Sequence, residues 1–299
     1  MTEPIEGFVP YPADLAEDYR RQGHWKGMTF GESLDDWVER YDERIAVVAN
    51  EERITYAELG SRVNNLASHL AALGLRPRER VVVQFNNVPE FLYLSFALFK
   101  LGALPIMALP AHRETEIRYL IGFSEAVAYA APLAFRDFNY AAMVRKIGPD
   151  TPTLKHILIA GSDVPAGTLS IEQMLARTDP AGAAMLDGFR PSASEVAFFL
   201  LSGGTTGLPK LIPRTHDDYA CFIAASVEVA ELNTDSVYLV TMPISHNFPL
   251  GAPGAFGTLA CGARLVLAMS PNPEIAFPLI ERERVTITAQ VPAVTIQWL

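Results

Sequence analysis

The sequence contains little cysteine and no excess of basic charge. Two of its 299 residues are cysteines, Cys221 and Cys261, and they show no C-x-x-C spacing. This pattern argues against a disulfide framework and fits a reducing compartment. Lys and Arg total 24 against 34 Asp and Glu, a net charge of −10, so the chain has no surplus of cations for a nucleic-acid backbone. Nucleic acid is therefore not an expected partner.

The sequence also lacks a secretory signal and a long uninterrupted apolar run. Residues 1–6 have neither the basic start nor the apolar core of a signal peptide. The longest apolar stretch, residues 91–110, is interrupted by Lys100 and Gly102 before it could span a bilayer. We therefore expect a cytoplasmic location, no membrane partner, and a buried helix followed by a buried strand in this stretch.

Apolar residues are abundant, and they alternate between helical and strand patterns. They make up 49% of the chain, enough to bury a large core. The patterns predict a strand at Val81–Phe85, a helix at Pro89–Leu101 and a strand at Leu104–Leu109. The predicted fold class is α/β, with two doubly wound lobes, largely parallel sheets and flanking helices. A stretch from Gly161 to Pro191, rich in Gly, Pro, Ala, Ser and Asp, predicts a first lobe at 1–190 and a second at 191–299.

One segment combines the residue types that bind phosphate. It follows a strand predicted at Glu195–Leu201 and precedes a helix predicted at Asp217–Glu231. Glycines let backbone N–H groups approach an anion, hydroxyls add donors, and Lys210 adds positive charge, which together suit a triphosphate. A solvated surface turn is the simpler alternative, but the density of such residues disfavours it. The segment consists of Ser202, Gly203, Gly204, Thr205, Thr206, Gly207, Leu208, Pro209 and Lys210.

The same segment differs from a Walker A loop. The pattern G-x-x-x-x-G-K-[ST] requires glycine before the lysine and serine or threonine after it. Here Pro209 precedes Lys210 and Leu211 follows it. A P-loop NTPase is therefore excluded.

The segment from Ser202 to Tyr219 resembles the phosphate-binding signature of the adenylate-forming superfamily, and more narrowly that of the aryl-acid AMP ligases. The superfamily usually has serine where Gly203 stands and glycine where Leu211 stands. The aryl-acid branch differs from the rest of the superfamily at the same two positions. Three scaffold segments also look like that branch: residues 19–25, 54–59 and 98–105. The family's adenine, ribose and C-terminal lysine motifs do not occur before Leu299, so the resemblance is to an incomplete N-terminal domain, expected to be inactive alone.

The resemblance implies ATP-dependent activation of an aromatic carboxylic acid. The carboxylate attacks the α-phosphate of ATP, which gives an aryl-AMP and pyrophosphate, while Mg²⁺ shares the triphosphate charge. The branch then transfers the aryl group to the phosphopantetheine thiol of an aryl carrier protein in siderophore or nonribosomal peptide biosynthesis. Lys210 and His246 are the catalytic candidates, and no metal ligand is predicted. The ATP-phosphate-binding candidates are Ser202, Gly203, Gly204, Thr205, Thr206, Gly207 and Lys210.

A second motif, residues 243–254, follows a strand predicted at Ser236–Met242, where open parallel sheets bind ligands. In the aryl-acid ligases this motif lines the acyl pocket. The resemblance therefore places His246 between ATP and the acid, Asn247 on a ring substituent ortho to the carboxylate, and Phe248 against the ring. Taken alone, His246 and Asn247 would be read as a helix cap with a satisfied polar group, and Phe248 as a core residue. Phe248 stays open between the two interpretations.

At Ala252 this sequence differs from the dihydroxybenzoate type of ligase, and the difference affects which acid is expected to bind. That type has serine here, which can hydrogen-bond a second ring hydroxyl, whereas a methyl group cannot. Leaving such a group unpaired costs ~1–3 kcal/mol. We therefore expect an acid without a polar group at that position. Acids of the salicylate, 3-hydroxyanthranilate and 3-hydroxypicolinate types are candidates beside 2,3-dihydroxybenzoate.

Two other functions stay open at this stage. An aryl-CoA ligase would perform the same first step but transfer the aryl group to coenzyme A, although the run Leu211–His216 favours the carrier-protein branch. A non-catalytic fragment that binds ATP or an aryl acid is the alternative outside enzymology. Binding of a stable aryl-adenylate analogue separates a ligase from a scaffold.

Overall fold

The computed structural model of this chain describes residues 5–202 and 208–299. In that part of the chain the strands are β1 (Ile45–Ala49), β2 (Glu52–Thr55), β3 (Arg80–Gln84), β4 (Leu104–Ala108), β5 (Ala128–Pro132), β6 (Ala134–Phe135), β7 (Phe138–Asn139), β8 (His156–Ala160), β9 (Leu169–Ser170), β10 (Val196–Leu201), β11 (Leu211–Thr215), β12 (Val237–Val240), β13 (Arg264–Leu267) and β14 (Ile287–Thr288). The helices are α1 (Ala13–Arg21), α2 (Phe30–Tyr41), α3 (Tyr56–Ala72), α4 (Pro89–Leu101), α5 (Glu114–Ser124), α6 (Tyr140–Ile147), α7 (Ile171–Leu175), α8 (Pro180–Leu186), α9 (His216–Val229), α10 (Asn247–Gly251), α11 (Gly254–Ala260), α12 (Pro273–Glu283) and α13 (Pro292–Trp298), with a short 3₁₀ helix at Gly148–Asp150.

The strands form two large sheets and a small β6–β7 hairpin. A seven-stranded sheet has the order β11-β10-β4-β3-β5-β8-β9, and its neighbours are parallel except for β10 and β11. A five-stranded sheet has the order β14-β12-β13-β1-β2, and its neighbours are parallel except for β1 and β2. The predicted α/β fold with largely parallel sheets and flanking helices is confirmed.

Side-chain alternation along β3 shows why the seven-stranded sheet is covered on both faces. Val81 and Val83 pack in a core cluster with residues of α3 and α4. Val82 points to the opposite face and packs with residues of α5 and α6. A strand buried on both faces is apolar on both faces, as Val81, Val82 and Val83 at the centre of β3 are.

The sheets do not divide at the boundary predicted near residue 190. β10 and β11 follow that residue, yet β10 pairs with β4 of the seven-stranded sheet. β1 precedes it, yet β1 pairs with β13 of the five-stranded sheet. The Gly- and Pro-rich stretch that suggested the boundary contains α7 and α8, and both helices pack against α3. Its composition therefore marks short packed elements and does not mark where one sheet ends and the other begins.

Local signals place the helix ends well. In the capping box of α3, the Thr55 hydroxyl accepts from the Glu58 backbone N–H, and the Glu58 carboxylate accepts from the Thr55 backbone N–H. Helix α4 spans the predicted Pro89–Leu101 and ends at Gly102, whose φ of 72° is left-handed.

The apolar stretch that begins at Phe91 forms the buried helix α4 and the buried strand β4, as predicted. Phe99 of α4 lies 5.3 Å from Phe30, 6.0 Å from Phe198 and 6.1 Å from Phe256, measured between ring centroids. Within the described ranges, none of the helices has the combination of length and apolarity needed to traverse a bilayer.

One buried amide joins the two sheets. Asn87 follows β3, and its Nδ2 donates to the carbonyl oxygens of Met242 at 3.0 Å and Ala268 at 2.9 Å, which follow β12 and β13. Its Oδ1 accepts from the Ile244 backbone N–H at 2.9 Å. Asn87 is 5% exposed, so these bonds connect the carboxyl ends of both sheets away from water.

Truncating this side chain would leave three buried backbone groups without a partner. We expect Asn87→Ala to lower the free energy of unfolding by about 3 kcal/mol, measured by urea denaturation. Asn86→Ala is the matched control, because the Asn86 Nδ2 contacts the Met269 sulfur at 3.4 Å. A similar loss of unfolding free energy in both variants would show that the connection between the sheets does not depend on Asn87.

A buried imidazole connects the N-terminal segment to α9. The Nδ1 of His216 accepts from the Phe30 backbone N–H at 3.0 Å. The neighbouring Asp217 carboxylate is bound by Arg20 at 2.9 Å and by the Gly27 backbone N–H at 3.1 Å. Burial lowers the pKa of His216 to about 3, so the ring is neutral in the folded protein.

The pKa of His216 makes stability depend on pH. Because it is about 3 in the folded protein against an ordinary value of 6.5, the unfolded chain takes up the proton first as pH falls. Stability is therefore fully present above pH 6.5 and is lost towards pH 3. Between pH 6.5 and 5 we expect a loss of about 1.5 kcal/mol in the free energy of unfolding. Urea titrations should show that His216→Gln, which keeps an acceptor, removes this loss; an unchanged pH dependence would contradict it.

Candidate functional site

The predicted phosphate loop connects two antiparallel strands. β10 and β11 pair up to Leu201 and Leu211. Beyond that pair the Ser202 backbone N–H donates to the Lys210 carbonyl at 3.0 Å, and the Lys210 backbone N–H donates to the Ser202 hydroxyl at 3.0 Å. These bonds close the two ends of the loop. The predictions for Gly203, Gly204, Thr205, Thr206 and Gly207 lie outside the described residues and stay predictions.

A strand that the sequence pattern does not predict, β11, separates the loop from α9. Pro213 lies inside this strand and removes a backbone donor, a composition that argues against a central strand. The strand forms because β11 is at the edge of the sheet, where one side needs no pairing. The loop is therefore a hairpin connection, unlike the strand–loop–helix arrangement of Walker A.

Lys210 presents its ammonium group to solvent at the end of this loop. Its side chain is exposed, and it makes no ion pair with any residue in the described part of the chain. An ammonium without a carboxylate partner keeps its charge available for an anion. The Ser202 hydroxyl, held by the Lys210 backbone, lies at the same end of the hairpin.

The acid motif begins where β12 ends. His246 caps α10, its Nδ1 accepting from the Phe248 backbone N–H at 3.4 Å. His246 is exposed, and Asn247 and Phe248 are half-buried. The helix predicted near Asn247 is present. His246 caps this helix through Nδ1, and its Nε2 has no hydrogen-bond partner among the described residues. Ala252 is half-buried just after this helix.

The helix that follows the phosphate hairpin reaches the acid motif directly. Tyr219 of α9 donates its hydroxyl hydrogen bond to the Asn247 Oδ1 at 3.2 Å and to the Asn247 carbonyl at 3.4 Å. The close approach requires Gly251, because a Cβ there would lie 2.4 Å from the Tyr219 oxygen. Sequence reasoning missed this role, since a tyrosine in a helix is ordinarily read as a core residue. The structure thus joins two helices that follow strands of different sheets.

A cavity of about 520 Å³ opens at the carboxyl ends of strands from both sheets. Asn86 and Asn87 follow β3, Thr241 and Pro243 follow β12, and Met269 follows β13. Open α/β sheets bind their ligands at this end. The remaining lining residues, from the segments that follow β4, β5 and β13, are Pro110, Ala111, Arg113, Phe135, Arg136, Asp137, Phe138, Tyr140 and Pro271.

The cavity wall contains cations that the sequence analysis did not single out. The Arg113 guanidinium lies 4.0 Å from the centroid of the Phe138 ring, a cation–π contact that keeps the side chain in place. Arg136 lies at the left-handed tip of the β6–β7 hairpin, with φ of 53°. Among residues 5–202 and 208–299, no group of three or more His, Cys, Asp or Glu could hold a metal ion.

Comparisons with a family model and with known proteins identify relatives of this chain. A family model described as "AMP-binding enzyme" matches residues 34–299. The chain is 46% identical over 295 residues to 2,3-dihydroxybenzoate-AMP ligase of Bacillus subtilis, covering 99% of this chain and 53% of that protein. It is 41% identical over 301 residues to salicyl-AMP ligase / salicyl-S-ArCP synthetase of Mycobacterium tuberculosis, covering 98% of this chain and 52% of that protein.

The solved structure of Mycobacterium smegmatis MbtA, without ligand, superposes with a TM-score of 0.90 at 39% identity, covering 98% of this chain and 53% of that one. The chain therefore spans about half the length of each of these relatives. The family model matches most of this chain, and the resemblance inferred from the segment Ser202 to Tyr219 is confirmed. This chain belongs to the AMP-binding enzyme family, the adenylate-forming superfamily.

Proposed function

We propose that this chain carries the aryl-acid and ATP-phosphate sites of an aryl-acid AMP ligase. The observation that carries the proposal is the hydrogen bond from Tyr219 to Asn247. It ties the helix that follows the phosphate hairpin to the acid motif, so both ligands would meet at one place. The names of the matched relatives, which include 2,3-dihydroxybenzoate-AMP ligase and salicyl-AMP ligase, support the same function.

In the proposed reaction the acid carboxylate attacks the α-phosphate of ATP and pyrophosphate leaves. Lys210 offsets negative charge on the phosphates, and the Ser202 hydroxyl with the loop residues 203–207 donates hydrogen bonds to them. The exposed ammonium and the hydroxyl at the base of the hairpin fit a triphosphate. Bound Mg²⁺ would supply further charge neutralisation on the phosphate oxygens. The work of these residues is positioning and charge stabilisation, which requires no protein nucleophile.

His246 would donate to an oxygen at the junction of the two ligands. Because its Nδ1 accepts from the Phe248 backbone, the neutral ring carries its proton on Nε2. Nε2 then faces a carboxylate or phosphate oxygen as a donor. Phe248, half-buried beside it, would provide an apolar wall for the aromatic ring.

The acceptor in the second step would be the phosphopantetheine thiol of an aryl carrier protein. The name salicyl-S-ArCP synthetase of the Mycobacterium tuberculosis relative supports a carrier protein over coenzyme A. Names such as the vibriobactin-specific ligase of Vibrio cholerae support a place in siderophore biosynthesis. A cytoplasmic location stays a prediction.

Calorimetry with a stable aryl-adenylate analogue tests the proposal. We expect the chain to bind a sulfamoyl-adenosine analogue of salicyl-AMP more tightly than salicylate alone, because the analogue places its aryl ring in the acid site and its sulfamate where the α-phosphate of ATP would lie. Lys210→Ala should weaken ATP binding about tenfold, whereas Lys26→Ala, an equally exposed lysine, should leave it unchanged. Absence of binding by all three ligands would favour a scaffold role and overturn the proposal.

A substitution at position 252 tests the acid class. We expect Ala252→Ser to improve binding of the 2,3-dihydroxybenzoyl analogue relative to the salicyl analogue about fivefold to tenfold, because serine can pair the second hydroxyl. Ala230→Ser makes the same change at a half-buried residue that caps the end of α9, and it should leave the ratio unchanged. A clear preference of the unmodified chain for the 2,3-dihydroxybenzoyl analogue would show that Ala252 does not select against that acid.

A further inference from the structure

We propose that Tyr219 is a positioning residue that orients the side-chain amide of Asn247 and thereby selects aryl acids with an ortho hydroxyl group over those with an ortho amino group. The inference rests on the proposed function, because it names the acid class for the same site. It concerns a residue of α9 that would not itself touch the acid.

The geometry determines which end of the amide faces Tyr219 and which end is left for a ligand. The Tyr219 hydroxyl lies within hydrogen-bond distance of two oxygens of Asn247, the side-chain Oδ1 at 3.2 Å and the backbone carbonyl at 3.4 Å. The amide oxygen, rather than the amide nitrogen, faces the hydroxyl, so the hydroxyl is the donor and its hydrogen is shared between these two oxygens. The Asn247 Nδ2 then points away from Tyr219. Its N–H groups have no hydrogen-bond partner among the residues that the structure describes.

Tyr219 is held firmly enough to impose that orientation. Its side chain is fully buried. The Phe198 ring packs edge-on with a centroid distance of 4.8 Å, and the Arg214 guanidinium lies 4.7 Å from the Tyr219 ring centroid. Gly251 leaves room for the hydroxyl, since a Cβ there would lie 2.4 Å from it. Burial raises the pKa of Tyr219, so the hydroxyl keeps its proton at neutral and mildly alkaline pH.

An amide NH₂ group distinguishes two ortho substituents. A phenol or phenolate oxygen has lone pairs that accept a hydrogen bond from Nδ2. An aromatic amine delocalises its lone pair into the ring, so it accepts poorly and would turn N–H groups towards the N–H groups of Asn247. Salicylate, 2,3-dihydroxybenzoate and 3-hydroxypicolinate carry an ortho hydroxyl, whereas 3-hydroxyanthranilate carries an ortho amine. Tyr219 therefore favours the first three acid types.

Three sulfamoyl-adenosine analogues test this inference by calorimetry: 2-hydroxybenzoyl, 2-aminobenzoyl and benzoyl. We expect the unmodified chain to bind the 2-hydroxybenzoyl analogue at least tenfold more tightly than the 2-aminobenzoyl analogue. Tyr219→Phe frees the amide to rotate, so this ratio should fall to about twofold. Binding of the benzoyl analogue, which has no ortho group, should change by less than about twofold.

Matched variants separate positioning from folding. Tyr56→Phe removes another fully buried hydroxyl, which donates to the Leu259 and Ala263 carbonyls, and it should leave the ratio unchanged. Gly251→Ala should lower the ratio as Tyr219→Phe does, whereas Gly122→Ala, with open space at its Cβ, should not. The two glycine variants provide the same test if Tyr219→Phe does not fold.

Two results would overturn the inference while leaving the proposed function intact. One is an equal loss of affinity for all three analogues in Tyr219→Phe, which would indicate a purely structural role. The other is a hydroxyl-to-amino ratio that is unchanged by Tyr219→Phe or reversed in the unmodified chain. Failure of the unmodified chain to bind any analogue would instead overturn the proposed function, and the inference with it.

Discussion

The arrangement of this molecule depends on one buried amide between two sheets. Asn87 uses both ends of its side chain: Nδ2 bonds carbonyls after β12 and β13, and Oδ1 bonds the N–H of Ile244. A buried carbonyl or N–H group without a partner is costly, so these bonds hold the carboxyl ends of strands from both sheets at one level. The acid motif starts within this group of bonds, and the cavity beside it is lined by Asn87 itself.

A second contact brings the phosphate hairpin into the same arrangement. The hairpin belongs to the seven-stranded sheet and the acid motif follows a strand of the five-stranded sheet, so their proximity is a tertiary property. α9 bridges them, since it begins after β11 and carries Tyr219 to Asn247. The charge at this site also differs from the net charge of the chain. The net charge of −10 argues against a nucleic-acid partner, yet the exposed ammonium of Lys210 has no carboxylate partner in the described ranges.

Much of the fold could be predicted because its signals are short-range. α4 begins and ends where Pro89 and Gly102 predict, and the capping box at Thr55 marks the start of α3. β11 could not be predicted, because Pro213 argues against a strand and is tolerated only at an edge. The pairing of β1 with β13 could not be predicted either, because it joins residues more than two hundred positions apart and leaves no local pattern.

The sequence by itself determined the family to which this chain belongs and the residue types on which the proposed chemistry depends. Glycines, hydroxyls and a lysine in one short segment predict an anion site, and the polar and aromatic residues from His246 to Phe248 predict an aromatic ligand. Only the tertiary structure decided which way the Asn247 side chain faces. The orientation of the Asn247 amide depends on the Tyr219 hydroxyl, and that hydroxyl reaches it only because position 251 has no side chain. Residue types follow from the sequence, whereas the direction of a hydrogen bond follows from which distant groups packing brings into contact.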